Sequence, residues 1–259
     1  MIVRLLDSIG TFAIKYCDVI GDFSLFIAET IKALFTTKFK FSKFIFQMEK
    51  IGVGSFTITV ITGGFAGAVL AIQSYKGFQQ FGGEEFLGPV VALSMMRELG
   101  PVLTGLMVAG RSGSAIAAEI GTMRITEQID ALKTLQINIF QYLIIPRVVA
   151  GTFILSLLCL FSMFFGILGG YIVCVHVLGL NGEDYITGIR SIAEFSDVRG
   201  GMIKASVFGF ILTIIGSYKG YFTVGGARGV GISTTQSVVV GSILIIIANY
   251  FLAILLFGP

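Results

Sequence analysis

Five apolar segments, each long enough to cross a bilayer, dominate this sequence and restrict what it can fold into. A helix needs about 20 consecutive apolar residues to span the hydrocarbon core of a membrane. Hydrophobic residues make up 55% of the chain and charged residues only 13%, against about 25% charged in ordinary soluble domains. Hydropathy, glycines and charges together predict spans at 52–75, 88–110, 145–176, 201–219 and 233–257. The predicted fold class is an all-α polytopic membrane protein.

The second predicted span carries two adjacent charges, Arg97 and Glu98, near its middle. A charge at that depth costs at least about 2.5–3.5 kcal/mol, so it normally faces a protein interior or a wet cavity. Adjacent helical residues do not face each other, and each charge is therefore expected to pair with another segment. Gly100 and Pro101 follow and predict a kink that opens room beside the charges. Two interpretations stay open, which are substrate binding and an ion pair that only fixes helix packing.

The chain is predicted to be one domain, 1–259, in which an interfacial region, 1–47, precedes a five-span core, 48–259. The interfacial region has a polar face at helical spacing, made of Asp7, Thr11, Lys15, Asp18, Asp22 and Glu29. Its apolar face contains Leu5, Leu6, Ile9, Phe12, Ile20, Phe23, Phe26 and Ile27. This pattern is typical of a helix that lies in the membrane interface. The alternative is a helix packed on the protein's own surface.

Basic residues are distributed unevenly between the two sides of the predicted bundle. Lys38, Lys40 and Lys43 alternate with phenylalanines just before the first span, as in an anchor at headgroup level. The N-terminal side holds 13 Lys and Arg residues and the other side 4, with Arg97 counted as buried. Because basic residues favour the cytoplasmic side, the N-terminus is predicted to be cytoplasmic and the C-terminus to lie outside.

A charged segment between the second and third spans, RSGSAIAAEIGTMRITEQIDALKTL, is predicted to form a polar-faced cytoplasmic helix. Thr126 is the predicted N-cap, which places Glu127 and Asp130 in the first turn, where the helix dipole favours carboxylates. The same helix carries an apolar ridge made of Ile129, Leu132 and Leu135. Such a helix suits docking to a soluble partner, and the alternative is a solvated connector.

The remaining motifs exclude several function classes. Cys17, Cys159 and Cys174 are far apart and His176 stands alone, so neither a disulfide framework nor a metal site is predicted. The segment GGARGVGIST lacks the GK[ST] ending of a P-loop, and no catalytic motif is present, so the chain is not expected to be an enzyme or to hydrolyse ATP. A net charge of +3 gives no indication of nucleic-acid binding. GxxxG pairs in the first and third spans indicate close helix packing and no particular interface.

Four blocks of sequence resemble one family. The segment Glu119–Leu132, E-I-G-T-M-R-I-T-E-Q-I-D-A-L, resembles the signature of the MlaE (YrbE) permeases, which are membrane subunits of ABC transporters that move lipids with MCE-domain proteins. The blocks Leu93–Gly121, Ile144–Gly151 and Gly220–Val239 are similar to the same family. The resemblance covers roughly residues 45–257.

The resemblance implies a specific assembly. Such permeases form homodimers, bind two cytoplasmic ATPase subunits and carry a ring of MCE proteins on the periplasmic side of the inner membrane, often with a small STAS-domain protein on the ATPase. Glu127, Gln128, Asp130 and Leu132 would lie on the coupling helix that contacts the ATPase. A phospholipid would occupy a cavity between the protomers, near Arg97 and Glu98, with its tails against the first, second and fifth spans.

Lys204, just inside the fourth span, also falls on a basic position of that family, which implies substrate binding. The residue alone favours a lysine that snorkels towards the end of its span.

Two other function classes stay open: an ion- or proton-coupled secondary transporter that uses Arg97 and Glu98 as a relay, and a membrane scaffold that gathers soluble partners. The absence of inverted repeats and of further intramembrane acids counts against the relay. No cofactor is predicted.

Overall fold

The structure is a computed structural model that describes residues 2–36 and 41–258. Within these ranges the chain forms eight main helices and no strand. They are α1 Ile2–Thr36, α2 Phe41–Phe78, α3 Glu84–Ile125, α4 Gln128–Thr134, α5 Phe140–His176, α6 Gly182–Ile192, α7 Phe195–Tyr221 and α8 Gly226–Phe257. Five of them, α2, α3, α5, α7 and α8, are long and apolar enough to cross a membrane. The predicted all-α fold class with five spans is therefore confirmed.

The five spans run alternately between two ends of the bundle, which we name the α4 end and the α6 end after the short helices there. α5 packs extensively against α2 and α7, and α7 also contacts α3 and α8. In the most apolar window of each span, 56% of residues are buried in α7 and 50% in α5, but only 11% in α8. α5 and α7 therefore form the centre of the chain, and most of α8 is left uncovered.

The second span differs most from its prediction. α3 runs for 42 residues, from Glu84 to Ile125, so Arg111–Ile125 continues the span instead of starting a separate helix. α3 ends where Glu127 adopts a left-handed backbone conformation with φ 59°. Thr126 is not an N-cap, because its hydroxyl donates to the carbonyl of Thr122 at 2.8 Å, inside α3. This part of the sequence prediction was wrong, because α7 and α8 pack against the segment and stabilise it as helix.

Two wide π-helical turns each precede a proline inside a span. In α3 the turn covers Met95–Leu99, just before Gly100–Pro101, and in α5 it covers Phe140–Ile144, just before Ile145–Pro146. Proline lacks an N–H and its ring crowds the carbonyl four residues earlier. A π turn relieves this conflict by shifting the backbone hydrogen bonds by one residue. The kink predicted at Gly100–Pro101 is therefore a π turn.

The GxxxG pairs of the first and third spans face each other. Gly63 and Gly67 of α2 lie against Ser162 and Gly166 of α5, and a Cβ on Gly67 would overlap the Gly166 carbonyl. Small residues at such positions let two backbones approach in a membrane. The predicted close packing is confirmed, and the structure identifies its interface as α2–α5.

The N-terminal segment is helical, as predicted, over Ile2–Thr36. Phe26 is buried against rings of Phe140, Tyr218 and Tyr221, so this part of α1 packs on the protein's own surface. The opposite face stays apolar and exposed, with Leu25, Ile31, Leu34 and Phe35. The side chains of residues 2–16, including Asp7, Thr11 and Lys15, lie outside the described residues, as do Lys38 and Lys40 of the predicted anchor.

We expect Gly67→Ala to lower the free energy of unfolding by about 1–3 kcal/mol, because the added methyl group overlaps backbone that cannot move aside. Thermal unfolding in detergent measures the effect. Gly77→Ala in the same helix is the matched control, since a Cβ there meets no atom within 4 Å. Equal melting temperatures for the two variants would contradict the α2–α5 contact.

Candidate functional site

Arg97 is held by an aspartate of another span. Its Nε donates to Oδ1 of Asp197 at 2.7 Å, and the Asp197 side chain is only 2% exposed. The other Asp197 oxygen accepts the N–H of Glu194 at 3.0 Å, as part of a capping box that begins α7. The Arg97 side chain is 41% exposed and lies over the ring of Phe257. No described residue accepts a hydrogen bond from its two Nη groups, so one edge of the guanidinium is fixed and the other is available.

Glu98 is held by two other helices. Its Oε1 accepts a hydrogen bond from Nζ of Lys204 at 2.7 Å, and its Oε2 accepts one from Nδ2 of Asn249 at 2.9 Å. Lys204 also donates to the carbonyl of Arg97 at 3.0 Å, and its side chain is 0% exposed. The interpretation of Lys204 as a snorkelling lysine was wrong, because its ammonium points inward to Glu98. The expectation that Arg97 and Glu98 pair with other segments is confirmed.

The described side chains at this site form a neutral set of two cations and two carboxylates. The sequence pointed to Arg97, Glu98 and Lys204 but not to Asp197 and Asn249. Asp197 carried a detectable signal, an acid in the first turn of an apolar span, three residues after Glu194. Asn249 is a single strongly polar residue in the apolar run of α8, and such residues normally make contacts within a bundle. Substrate binding by Arg97, Glu98 and Lys204 stays a prediction.

The site lies in the half of the bundle nearest the α6 end. Asp197 is in the first turn of α7 and Phe257 is the last residue of α8. An apolar groove of about 570 Å³ lies beside it, lined by Met96, Val198 and six α5 residues, which are Leu160, Phe161, Met163, Phe164, Phe165 and Ile167. Met96 and Val198 directly neighbour the paired Arg97 and Asp197. A charged group and an acyl-sized apolar space therefore occur side by side, between the second, third and fourth spans.

The helix predicted to contact a partner, α4, is anchored to the bundle by Ile129, which is fully buried. Ile129 therefore cannot belong to an exposed ridge, although Leu135 is 69% exposed and Leu132 is half-buried. Glu127, Gln128 and Asp130 are exposed, as the prediction requires. Asp130 accepts a hydrogen bond from Arg124 of α3 at 2.8 Å. Coupling to an ATPase through Glu127, Gln128, Asp130 and Leu132 stays a prediction.

A second ion cluster joins three spans near the α4 end. Glu119 of α3 contacts Lys50 of α2 at 2.7 Å and Arg147 of α5 at 3.1 Å. Arg147 is buried and donates to the carbonyl of Leu143 at 2.6 Å, within the π turn of α5. Glu119 is the first residue of the signature block, which gives that block a structural role apart from α4.

Comparison with known proteins identifies the family. The family described as "Permease MlaE" matches residues 44–255. The chain belongs to the MlaE permease family. It is 46% identical over 257 residues to a "Probable ABC transporter permease protein" of Rickettsia bellii, with 99% of each chain covered. It is 32% identical over 259 residues to the "Intermembrane phospholipid transport system permease protein MlaE" of Haemophilus influenzae, covering 100% of this chain and 99% of the relative.

A third relative is chloroplastic. Protein TRIGALACTOSYLDIACYLGLYCEROL 1 of Arabidopsis thaliana is 38% identical over 207 residues, which are 80% of this chain and 59% of the relative. Membership of the MlaE family and the five apolar helices make this chain a multi-pass membrane protein of the ABC permease type. The match over residues 44–255 includes every residue of the ion-paired site and all of α4.

We expect Lys204→Met to destabilise this MlaE-family chain by about 1–3 kcal/mol, because Glu98 keeps its charge but loses its cationic partner. The double variant Glu98→Gln, Lys204→Met should recover much of that loss, since no unpaired charge remains. Thermal unfolding of the two single variants and the double variant gives the coupling energy. Lys76→Met, at an exposed position with no described partner, is the control. Additive effects of Glu98→Gln and Lys204→Met would contradict the pairing.

Proposed function

We propose that this chain is the permease subunit of an ABC transporter that moves phospholipids between the inner and outer membranes. Family membership supports the ABC permease class, and the Haemophilus influenzae relative is named for intermembrane phospholipid transport. ATP hydrolysis takes place on separate cytoplasmic ATPase subunits. The whole chain, 1–259, acts as one permease unit, with 1–47 at the membrane interface and 48–259 as the transport core.

The observation that carries this proposal is that only one of the three guanidinium nitrogens of Arg97 has a described hydrogen-bond acceptor. Asp197 fixes Nε at 2.7 Å, while the two Nη groups have no described acceptor in a side chain that is 41% exposed. A guanidinium edge matches two oxygens of a phosphate and is preferred to lysine for this geometry. Asp197 and Glu98 balance the charges of Arg97 and Lys204, so one phosphate can bind the free Nη groups of Arg97 without displacing an existing ion pair. In our proposal the phospholipid headgroup is held at this position.

The shape of α3 supports coupling between the ATPase and the site. Arg97 and Arg124 belong to the same 42-residue helix, and Arg124 is bonded to Asp130 of α4. Fully buried Ile129 fixes α4 to the bundle, so a displacement of α4 is passed to α3. In our proposal the ATPase contacts the exposed side of α4, through Glu127, Gln128, Asp130 and Leu132, and closure of the ATPase moves α3.

The proposed assembly is a homodimer with a phospholipid cavity between the protomers. Support comes from α8, whose most apolar window is only 11% buried and whose exposed face is apolar, with Val239, Ile243, Ile246, Ile247, Phe251 and Ile254. The lipid tails lie in that cavity, against the first, second and fifth spans. A periplasmic MCE-domain protein receives or delivers the lipid at the α6 end, and a STAS-domain protein binds the ATPase. The N-terminus is cytoplasmic and the C-terminus periplasmic.

The alternative function, an ion- or proton-coupled transporter that uses Arg97 and Glu98 as a relay, gains some support from Asp197. Asp197 adds a second carboxylate to Arg97 and Glu98, whereas sequence analysis found no further intramembrane acid. Both Asp197 oxygens are already occupied, by Arg97 and by the N–H of Glu194. Lipid exchange between vesicles, measured with and without ATP, distinguishes the ABC transporter from the secondary transporter. Only the ABC transporter requires ATP.

We expect Arg97→Ala to reduce co-purified phospholipid about tenfold, because charge-assisted hydrogen bonds to the phosphate are lost. Arg97→Lys keeps a positive charge beside Asp197 but cannot donate two parallel hydrogen bonds to a phosphate. We therefore expect it to give an intermediate reduction in co-purified phospholipid. Lipid per chain is measured by mass spectrometry after gentle detergent purification. Arg190→Ala, an exposed arginine of α6, is the control. Unchanged lipid in both Arg97 variants would refute the headgroup role.

We expect Asp130→Arg to release the ATPase while the permease stays folded. The substitution reverses the charge of an exposed side chain and places it beside Arg124 and Lys133, whereas Ile129 still anchors α4. Co-purification of the ATPase with the tagged permease measures binding, and size-exclusion chromatography checks folding. Asp184→Arg on α6, at the opposite end, is the matched control. Full ATPase recovery with Asp130→Arg would rule out the coupling assignment.

A further inference from the structure

A second arginine of α3 is held in place by hydroxyl groups and has no counter-ion among the described residues. Arg111 lies in a third π turn, Ala109–Gly113, towards the α4 end. Its Nη1 donates to Oγ of Ser55 at 3.1 Å, and Ser112 Oγ lies 3.5 Å from the same nitrogen. The two hydroxyls are hydrogen-bonded to each other at 3.1 Å and both serines are buried. The serines therefore orient one edge of the guanidinium but are too buried to bind a ligand themselves.

Gly54 of α2 provides the surface on which the guanidinium lies. A Cβ on Gly54 would overlap the Nη1, Nη2 and Cζ atoms of Arg111, so the guanidinium can take this position only because residue 54 has no side chain. Next to Arg111 on α3, a Cβ on Gly110 would meet no atom within 4 Å. Arg111 is itself an exposed residue, so its guanidinium is not covered on every side.

The charge of Arg111 is unbalanced within the described chain. Four other cations of the bundle, Arg97, Lys204, Lys50 and Arg147, each contact a carboxylate within 4 Å. No described carboxylate lies within that distance of Arg111, although its helix is one of the five apolar spans. An arginine stays charged at any physiological pH, and an uncompensated charge inside a span is costly. An anion from outside the chain would remove that cost.

The depth of Arg111 suits the phosphate of a lipid. Gly54 lies four residues beyond Lys50 along α2, which places the guanidinium about 6 Å further into the bundle than the exposed Lys50–Glu119 pair. Arg111 follows Arg97 by 14 residues on α3, which corresponds to about 21 Å along the helix. The two arginines therefore lie towards opposite ends of the bundle, too far apart to hold the same phosphate.

We propose that Arg111, oriented by Ser55 and Ser112 over Gly54, is a second phosphate site, which binds a phospholipid headgroup towards the α4 end. The proposal rests on the proposed function, since it adds a second position on the path of the same substrate. Nη2 and Nε have no described acceptor and present two donors to the phosphate oxygens. A headgroup would be held here at one end of the bundle and at Arg97 towards the other.

The test uses the full-length protein in detergent, titrated with phosphatidylglycerol and observed by native mass spectrometry. We expect at least two phosphatidylglycerol molecules per wild-type chain, and about tenfold weaker binding of one of them in Arg111→Ala. Gly54→Ala retains the arginine but displaces its guanidinium, and should give the same loss. Arg190→Ala and Gly64→Ala are the matched controls, since a Cβ on Gly64 meets only an ordinary contact at 3.6 Å.

Two ligand controls identify what is recognised. Diacylglycerol with the same acyl chains lacks the phosphate and should bind without any difference between wild type and Arg111→Ala. Inorganic phosphate at millimolar concentration should not displace the lipid, and displacement would assign the site to free phosphate instead. Unchanged phosphatidylglycerol binding in Arg111→Ala and Gly54→Ala overturns the inference. If the Arg97 variants still lose lipid in that case, the proposed function stands, whereas no loss in any of these variants also refutes the headgroup role of Arg97.

Discussion

Pairwise neutralisation of charge inside the bundle is the constraint on which this structure depends. Arg97 and Lys204 would each be costly in an apolar span, and Asp197 and Glu98 remove that cost by direct contact at 2.7 Å. These contacts join α3 to α7, and the amide of Asn249 adds α8 through Glu98. The neutral cluster fixes three helices, yet leaves the Nη groups of Arg97 available. The same residue, Arg97, can therefore belong to a structural ion pair and still bind a ligand.

Backbone features bring these charges to their partners. Proline at position 101 imposes a π turn on α3, and that turn contains both Arg97 and Glu98. The π turn before Pro146 similarly contains Leu143, whose carbonyl accepts a hydrogen bond from Arg147. Elsewhere α2 and α5 approach closely because glycines face each other, which needs no charge at all. The bundle thus combines small-residue packing with ion-paired packing.

Function follows from the way α3 connects distant parts of the molecule. One helix carries Arg97 near the α6 end, Arg111 and Glu119 towards the α4 end, and Arg124 beside α4. Glu119 ties the helix to α2 and α5 through Lys50 and Arg147. A force applied to α4 therefore reaches Arg97, Glu98 and Arg111, which are all proposed to bind lipid, through the single continuous helix α3. This arrangement fits the proposed function, in which soluble subunits hydrolyse ATP and the membrane subunit holds the substrate.

The sequence by itself determined the five spans, the all-α class and the α4 segment, because hydropathy and helical period are local properties of the chain. It also indicated that Arg97 and Glu98 need partners on other segments. Only the tertiary structure decided which residues these are, since Asp197 and Lys204 lie about a hundred residues away in sequence. The burial of Lys204, the continuation of α3 to Ile125 and the position of Arg111 over Gly54 likewise depend on neighbouring helices. Those contacts form between surfaces of different spans, and no local pattern in one span specifies which surface it will meet.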